Sequence, residues 1–282
     1  MNIHYHFANR GLTSELNGLL GVCERLQMSG GGKVFVTYPK CSIYFKHLPF
    51  YQIYKRTNVI SDVPLEGAIA MDSKNTMAFA RRHYLLSLPR SITSNFLQFT
   101  DCVQQVVDST IRNLNLPEEY ACFHIRRGDK VNEKLSWLSK RGPNGGEAIR
   151  INFDKYLYKL KSYKDISTIF IMTDDFKVIS EAKSYIEKYN LKYKLRYITP
   201  KNHLGHSTID CRNGVFTFTT SDIMTLLSEI SIAKLSTCFV GTYSSNIFRF
   251  ILNTYYCGGG SKASTKFLSL DCEEIFKEKY KC

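Results

Sequence analysis

Short apolar runs alternate along the chain with segments whose apolar residues recur at helical spacing. Ile3 to Phe7 predicts a strand and Ser14 to Gln27 a helix, and Lys33 to Tyr38 predicts a second strand after the glycine turn "SGGGK". Residues 39 to 90 scatter proline and aromatics without a period and predict no element. A helix over Thr100 to Leu114 follows, and Pro117 in "NLPEEY" marks the expected passage between a first domain, 1–117, and a second, 118–282.

The second half is more regular. Strands are expected at Ala121 to Ile125, Thr168 to Met172, Lys194 to Ile198 and Thr237 to Val240, with helices at Phe153 to Tyr163, Val178 to Tyr189, Ser221 to Lys234 and Asn246 to Tyr255. Such alternation predicts an α/β protein with doubly wound parallel sheets. In the Ser221 helix, Ile223, Leu226, Leu227 and Ile230 form the expected buried face, and Asp222 and Glu229 share a different one.

Chemistry gathers where one of these strands ends. In "FHIRRGDK", residues 123–130, two arginines leave an apolar run and an acid and a lysine follow. Strand alternation puts His124 and Arg126 on one face and Ile125 and Arg127 on the other. Ligands of open α/β sheets bind beyond the carboxyl ends of the strands, so the cluster has a functional position as well as a functional composition.

Composition narrows the partners. The 282 residues are 44% apolar and carry a formal net charge of +13, which favours an anionic partner without choosing among nucleotide, acidic glycan, nucleic acid or lipid. The basic residues are scattered rather than blocked, so a solvated basic surface is expected before a nucleic-acid stripe. Nine cysteines form no CxxC pair or zinc spacing and read as reduced structural thiols. The chain shows no run of 18 apolar residues, no signal peptide and no N-x-[ST] sequon. A cytoplasmic protein without a membrane span is the expectation, and a protein trimmed of its anchor is the alternative.

Three strings in order, "HIRRGDK", "IFIMTDDFKVISEAK" and "STCFVGTYSSNIFRFI", resemble the three motifs of the α1,6-fucosyltransferases and bacterial nodulation fucosyltransferases, and more distantly those of the α1,2 and protein O-fucosyltransferases. The resemblance covers residues 120 to 275, and "RGLTSELNGLLGVCERL" is similar to the first loop and helix of that superfamily. It implies the GT-B architecture: two Rossmann-like domains facing across a cleft, acceptor largely on the first and donor nucleotide on the second. The implied activity is inverting, metal-independent transfer of fucose from GDP-fucose to a hydroxyl of an oligosaccharide or glycoprotein. Two alternatives stand beside it: another donor on the same scaffold, such as UDP-xylose, and a non-catalytic glycan- or nucleic-acid-binding protein.

A nucleotide-sugar transferase must stabilise charge growing on the departing diphosphate and supply a base for the acceptor hydroxyl. By resemblance Arg126 and Arg127 hold the diphosphate, with Arg126 the bidentate contact, His124 beside them, Lys130 a further cation and Asp129 its orienting partner. No metal or other cofactor is expected. Asp174 and Asp175 are expected to orient cationic groups, with a helix cap as the alternative for Asp175. In "GTYSSN", Ser244 and Ser245 are placed to offer hydroxyls and N–H groups to phosphate, and helix capping is compatible with that role.

Glu229 falls where the fucosyltransferases carry a guanine-recognising aspartate. A carboxylate accepts both N1–H and N2–H of guanine but meets one imino donor on uracil, which favours GDP. A solvated helix-face acid is the alternative. Tyr156 matches a site tyrosine of the family after the loop "KLSWLSKRGPNGGEAIR", read either as an acceptor-side lid or as a surface insertion; His203 and His206 are read as loop histidines. The catalytic base is expected at Glu133, because Lys134 occupies the matching position, with Asp129 as the alternative.

Overall fold

A computed structural model describes residues 1–7, 12–39, 42, 44–45, 48–72, 97–127, 150–201, 203, 218–256 and 266–271. The chain divides into two compact units: Met1–Val107 with Thr217–Met224 and Phe250–Ser261, and Asp108–Phe216 with Thr225–Arg249 and Lys262–Cys282.

In the first unit the elements are β1 (Ile3–His6), α1 (Leu12–Met28), β2 (Val34–Thr37), α2 (Phe50–Ile53), β3 (Ile60–Ser61) and β4 (Ile69–Asp72). The strands form a parallel sheet in the order β3-β2-β1-β4. Ile3 and Tyr5 of β1 are fully buried, as are Leu16, Leu19 and Cys23 of α1, and α1 comes up against β1 at Tyr5. Gly18 permits this approach, since a Cβ there would lie 2.4 Å from the Tyr5 hydroxyl. Elements α2, β3 and β4 occupy the stretch for which the sequence predicts none; at two to four residues each they are too short to display a period.

The second sheet carries the candidate chemistry. Helix α3 (Asp101–Leu114) precedes β5 (Ala121–Ile125); then come α4 (Phe153–Lys159) with a 3-10 turn at Leu160–Ser162, β6 (Thr168–Thr173), α5 (Lys177–Lys188), β7 (Lys194–Arg196), α6 (Thr220–Leu235), β8 (Cys238–Gly241), α7 (Asn246–Tyr256) and β9 (Phe267–Ser269). The order β7-β6-β5-β8-β9 is parallel throughout. Counted from β5 this is third, second, first, fourth, fifth: the doubly wound order, with its reversal between β5 and β8.

Every residue of β5, β6 and β8 is buried, as expected of central parallel strands covered on both faces. Ala121, Phe123 and Ile125 pack with Phe153, Tyr156, Ile179 and Val240 on one side. On the other, the His124 ring lies against Phe239, which stacks on Phe248. Close approach of α7 to β8 requires Gly241, where a Cβ would meet the Phe248 ring at 2.7 Å and His124 Cβ at 3.3 Å. The predicted strand at Ala121–Ile125 matches β5, and the other predicted second-half strands and helices recur with ends moved by one to four residues. β9 is an addition.

Cys23, Cys102, Cys122 and Cys238 are free thiols. Among the described residues no helix is long and apolar enough to cross a membrane.

Candidate functional site

Arg126 and Arg127 emerge from the carboxyl end of β5, beside the point where the strand order reverses, and the two side chains part. Arg126 Nη1 bonds to Asp174 Oδ2, and the backbone N–H of Arg127 donates to Asp174 Oδ1 at 2.9 Å. Asp174, one residue past β6, thereby fixes Arg126 and Arg127 just past β5 through both a side-chain and a main-chain donor. The Arg127 guanidinium runs the other way. Its Nη1 donates to the carbonyl of Ile151 at 2.7 Å, and its Nη2 reaches both oxygens of Glu181 at 3.2 and 3.3 Å. With 7% of its side chain exposed against 21% for Arg126, it is the buried member of the pair.

Asp175 carries its own amide on Thr173 Oγ1 and accepts the Lys177 N–H at 2.9 Å, so its carboxylate caps the start of α5. The carbonyl of His203 accepts the Phe176 N–H at 2.8 Å and holds the same turn.

Glu229 is buried in α6, which excludes the solvated alternative; Asp222, seven residues earlier, instead closes a capping box with Thr219. Thr199 Oγ1 lies 3.1 Å from Glu229 Oε1 and 3.3 Å from the carbonyl of Thr173, and Thr173 Oγ1 donates to the carbonyl of Ile125 at 2.7 Å. A ladder of hydroxyls thus ties the carboxyl ends of β5 and β6 to the Glu229 carboxyl. Burial pushes that carboxyl up to about 8, opposed by the Thr199 hydrogen bond. His124, 2% exposed, moves the other way: burial first, then the Arg126 cation, lower it to about 4, so burial favours the neutral form of both groups.

The "GTYSSN" turn links β8 to α7 and is held from two sides. Asp271, just past β9, accepts from the Ser244 N–H and hydroxyl, and Ser269 Oγ accepts the Tyr243 N–H. Arg249 donates to the carbonyls of Tyr243 and Ser244 at 2.9 and 2.8 Å. Ser244 is therefore committed internally, while Ser245, its N–H on the Thr242 carbonyl, stands half-buried at the head of α7.

The structure thus brings His124, Arg126, Arg127, Asp174, Asp175, Glu229, Ser244 and Ser245 to one sheet edge. Tyr156 lies beneath that edge: its ring is in the core, its hydroxyl is 3.3 Å from the His124 carbonyl, and burial raises its pKa. Asp129, Lys130, Glu133, Trp137 and His206 lie outside the described residues. Thr199, Glu181, Arg249 and Asp271 are supports that the sequence did not single out. Among the described residues no three His, Cys, Asp or Glu side chains converge as a metal cluster.

No protein-family model and no curated protein matches the chain. Its fold, however, is found in solved structures. The protein is similar to POFUT1 in complex with GDP, with a TM-score of 0.54 at 10% identity over 95% of this chain and 98% of that one. It is similar to the selenomethionine fucosyltransferase NodZ from Bradyrhizobium, with a TM-score of 0.51 at 9% identity over 97% and 96%. It is also similar to NodZ α1,6-fucosyltransferase soaked with GDP-fucose, with a TM-score of 0.50 at 8% identity over 90% and 93%. The chain therefore has the fold of the GT-B fucosyltransferases.

Proposed function

We propose that this protein is an inverting, metal-independent glycosyltransferase that moves fucose from GDP-fucose to a hydroxyl of an oligosaccharide or glycoprotein. The observation that carries the reading is the placement of Arg126. It stands at the reversal point of a doubly wound sheet, oriented by Asp174, with the serine turn of β8 beside it, in a fold shared with enzymes solved with GDP and GDP-fucose.

In the proposed reaction the acceptor hydroxyl attacks C1 of fucose as the bond to the β-phosphate breaks, and the configuration at C1 inverts. Arg126, supported by Lys130 and the head of α7 at Ser245, meets the negative charge that grows on departing GDP. Glu133 takes the acceptor proton, with Asp129 orienting Lys130. Glu229 recognises guanine. Residues 1–117 are proposed to carry the acceptor side and 118–282 the donor side.

The burial of Glu229 beside Thr199 also admits a second donor. A protonated Glu229 offers one donor and one acceptor, a pattern that also fits the O4 and N3–H of uracil. A UDP-linked pentose such as UDP-xylose is the donor that pattern admits. Proton NMR of the full chain with each nucleotide sugar in excess EDTA separates the two. Consumption of GDP-fucose with α-fucose as the first-formed product supports the proposal, whereas consumption of UDP-xylose alone reassigns the donor.

A further inference from the structure

Adjacent arginines at a phosphate site invite the assumption that both grip the ligand, yet here the two have different partners. Arg127 spends its guanidinium inside the protein: on the Ile151 carbonyl just ahead of α4, and on Glu181 in the second turn of α5. Glu181 is also reached by Arg150 Nη2 at 3.7 Å, so one carboxylate gathers cations from both sides of residues 128–149. At 7% side-chain exposure, Arg127 cannot turn toward a ligand without giving up its bond to the Ile151 carbonyl and its pairing with Glu181. Its backbone N–H meanwhile holds the second oxygen of the carboxylate that orients Arg126.

We propose that Glu181 is a positioning residue: by fastening the Arg127 guanidinium to the α4–α5 side, it sets the backbone at residues 126–127 so that Arg126, of the pair, meets the donor diphosphate. The inference rests on the nucleotide-sugar reading and adds a division of labour to it. Arg127 acts through the backbone as a strut, and Glu181 acts through Arg127. A charge-neutral glutamine at 181 keeps the shape and one acceptor oxygen but weakens the charge-assisted fork, so the backbone at 126–127 gains freedom that the transition state feels most.

The test uses the full chain and its Arg126→Gln, Arg127→Gln, Glu181→Gln and Arg127→Gln/Glu181→Gln variants. GDP and guanosine are titrated into each, and turnover of GDP-fucose is followed. Wild type should bind GDP more tightly than guanosine, and Arg126→Gln should erase that advantage. Glu181→Gln and Arg127→Gln should keep it within about threefold while kcat falls by about tenfold or more at nearly unchanged KM. The double variant should lose no more kcat than the worse single one, because the two side chains act as one unit. Loss of the GDP advantage in Arg127→Gln with normal kcat in Glu181→Gln would make Arg127 a direct ligand and overturn the inference. A variant too unstable to assay transfers the decision to the other member of the couple. If wild type itself prefers guanosine or does not turn over GDP-fucose, the donor reading fails first, and this inference fails with it.

Discussion

Glu229 and His124 show what burial does to single residues at this sheet edge. Glu229 sits at about 8 against 4.5 for an ordinary glutamate. The folded protein therefore holds a proton that the unfolded chain has lost, so the contribution of Glu229 to stability is full below 4.5 and fades as pH rises through 8. Melting curves of wild type and Glu229→Gln should converge at the acid end and separate across that window, with wild type losing ground; a constant difference would contradict the buried acid. For His124 the sign is reversed: it sits at about 4 against 6.5, so it costs stability as pH falls through that interval. If Glu229 receives guanine as a carboxylate, GDP affinity should rise by about tenfold per pH unit until the pH reaches its pKa. Calorimetry at several pH values reads this directly. Arg126→Lys retains charge but loses the planar fork, and turnover should fall by at least about 100-fold, measured as kcat on GDP-fucose. Near-normal turnover would leave Arg126 as an internal partner of Asp174.

The visibility of each element in the sequence followed its burial and length. β5, β6 and β8 are buried on both faces, so their residues read as continuous apolar runs; α5 and α7 show a clear amphipathic period. β3 with two residues and β9 with three carry too little pattern to be read. The arginines, the acidic pair and the serine turn were legible because each lies at a strand end. Their supports were not. Asp271 becomes a partner of Ser244 because β9 returns beside β8, and Glu181 reads as an ordinary helix acid until α5 packs beside Arg127. Gly241 tests the closeness of β8 and α7 that shapes this edge. Gly241→Ala would press a methyl into the buried Phe248 ring, and thermal unfolding should show a loss of about 1–3 kcal/mol. An unchanged melting temperature would mean that the edge is looser than it stands here.

For the whole molecule, the proposed reaction has to agree with the charge balance and with the fold. A net charge of +13 is compatible with the anionic donor of the proposed reaction without selecting it among anions, and the fold accommodates that proposal. If arginine and lysine supply the positive charge at the diphosphate, excess EDTA should leave turnover unchanged; loss in EDTA restored by manganese would make Asp174 and Asp175 metal ligands. The central claim is that the edge built around Arg126 and Glu229 is a guanine nucleotide site. Isothermal titration of the full chain with GDP, UDP and ADP in EDTA measures this most directly. GDP should bind at least about tenfold more tightly than either competitor, a difference of about 1.4 kcal/mol. Equal or tighter binding of UDP would contradict the account.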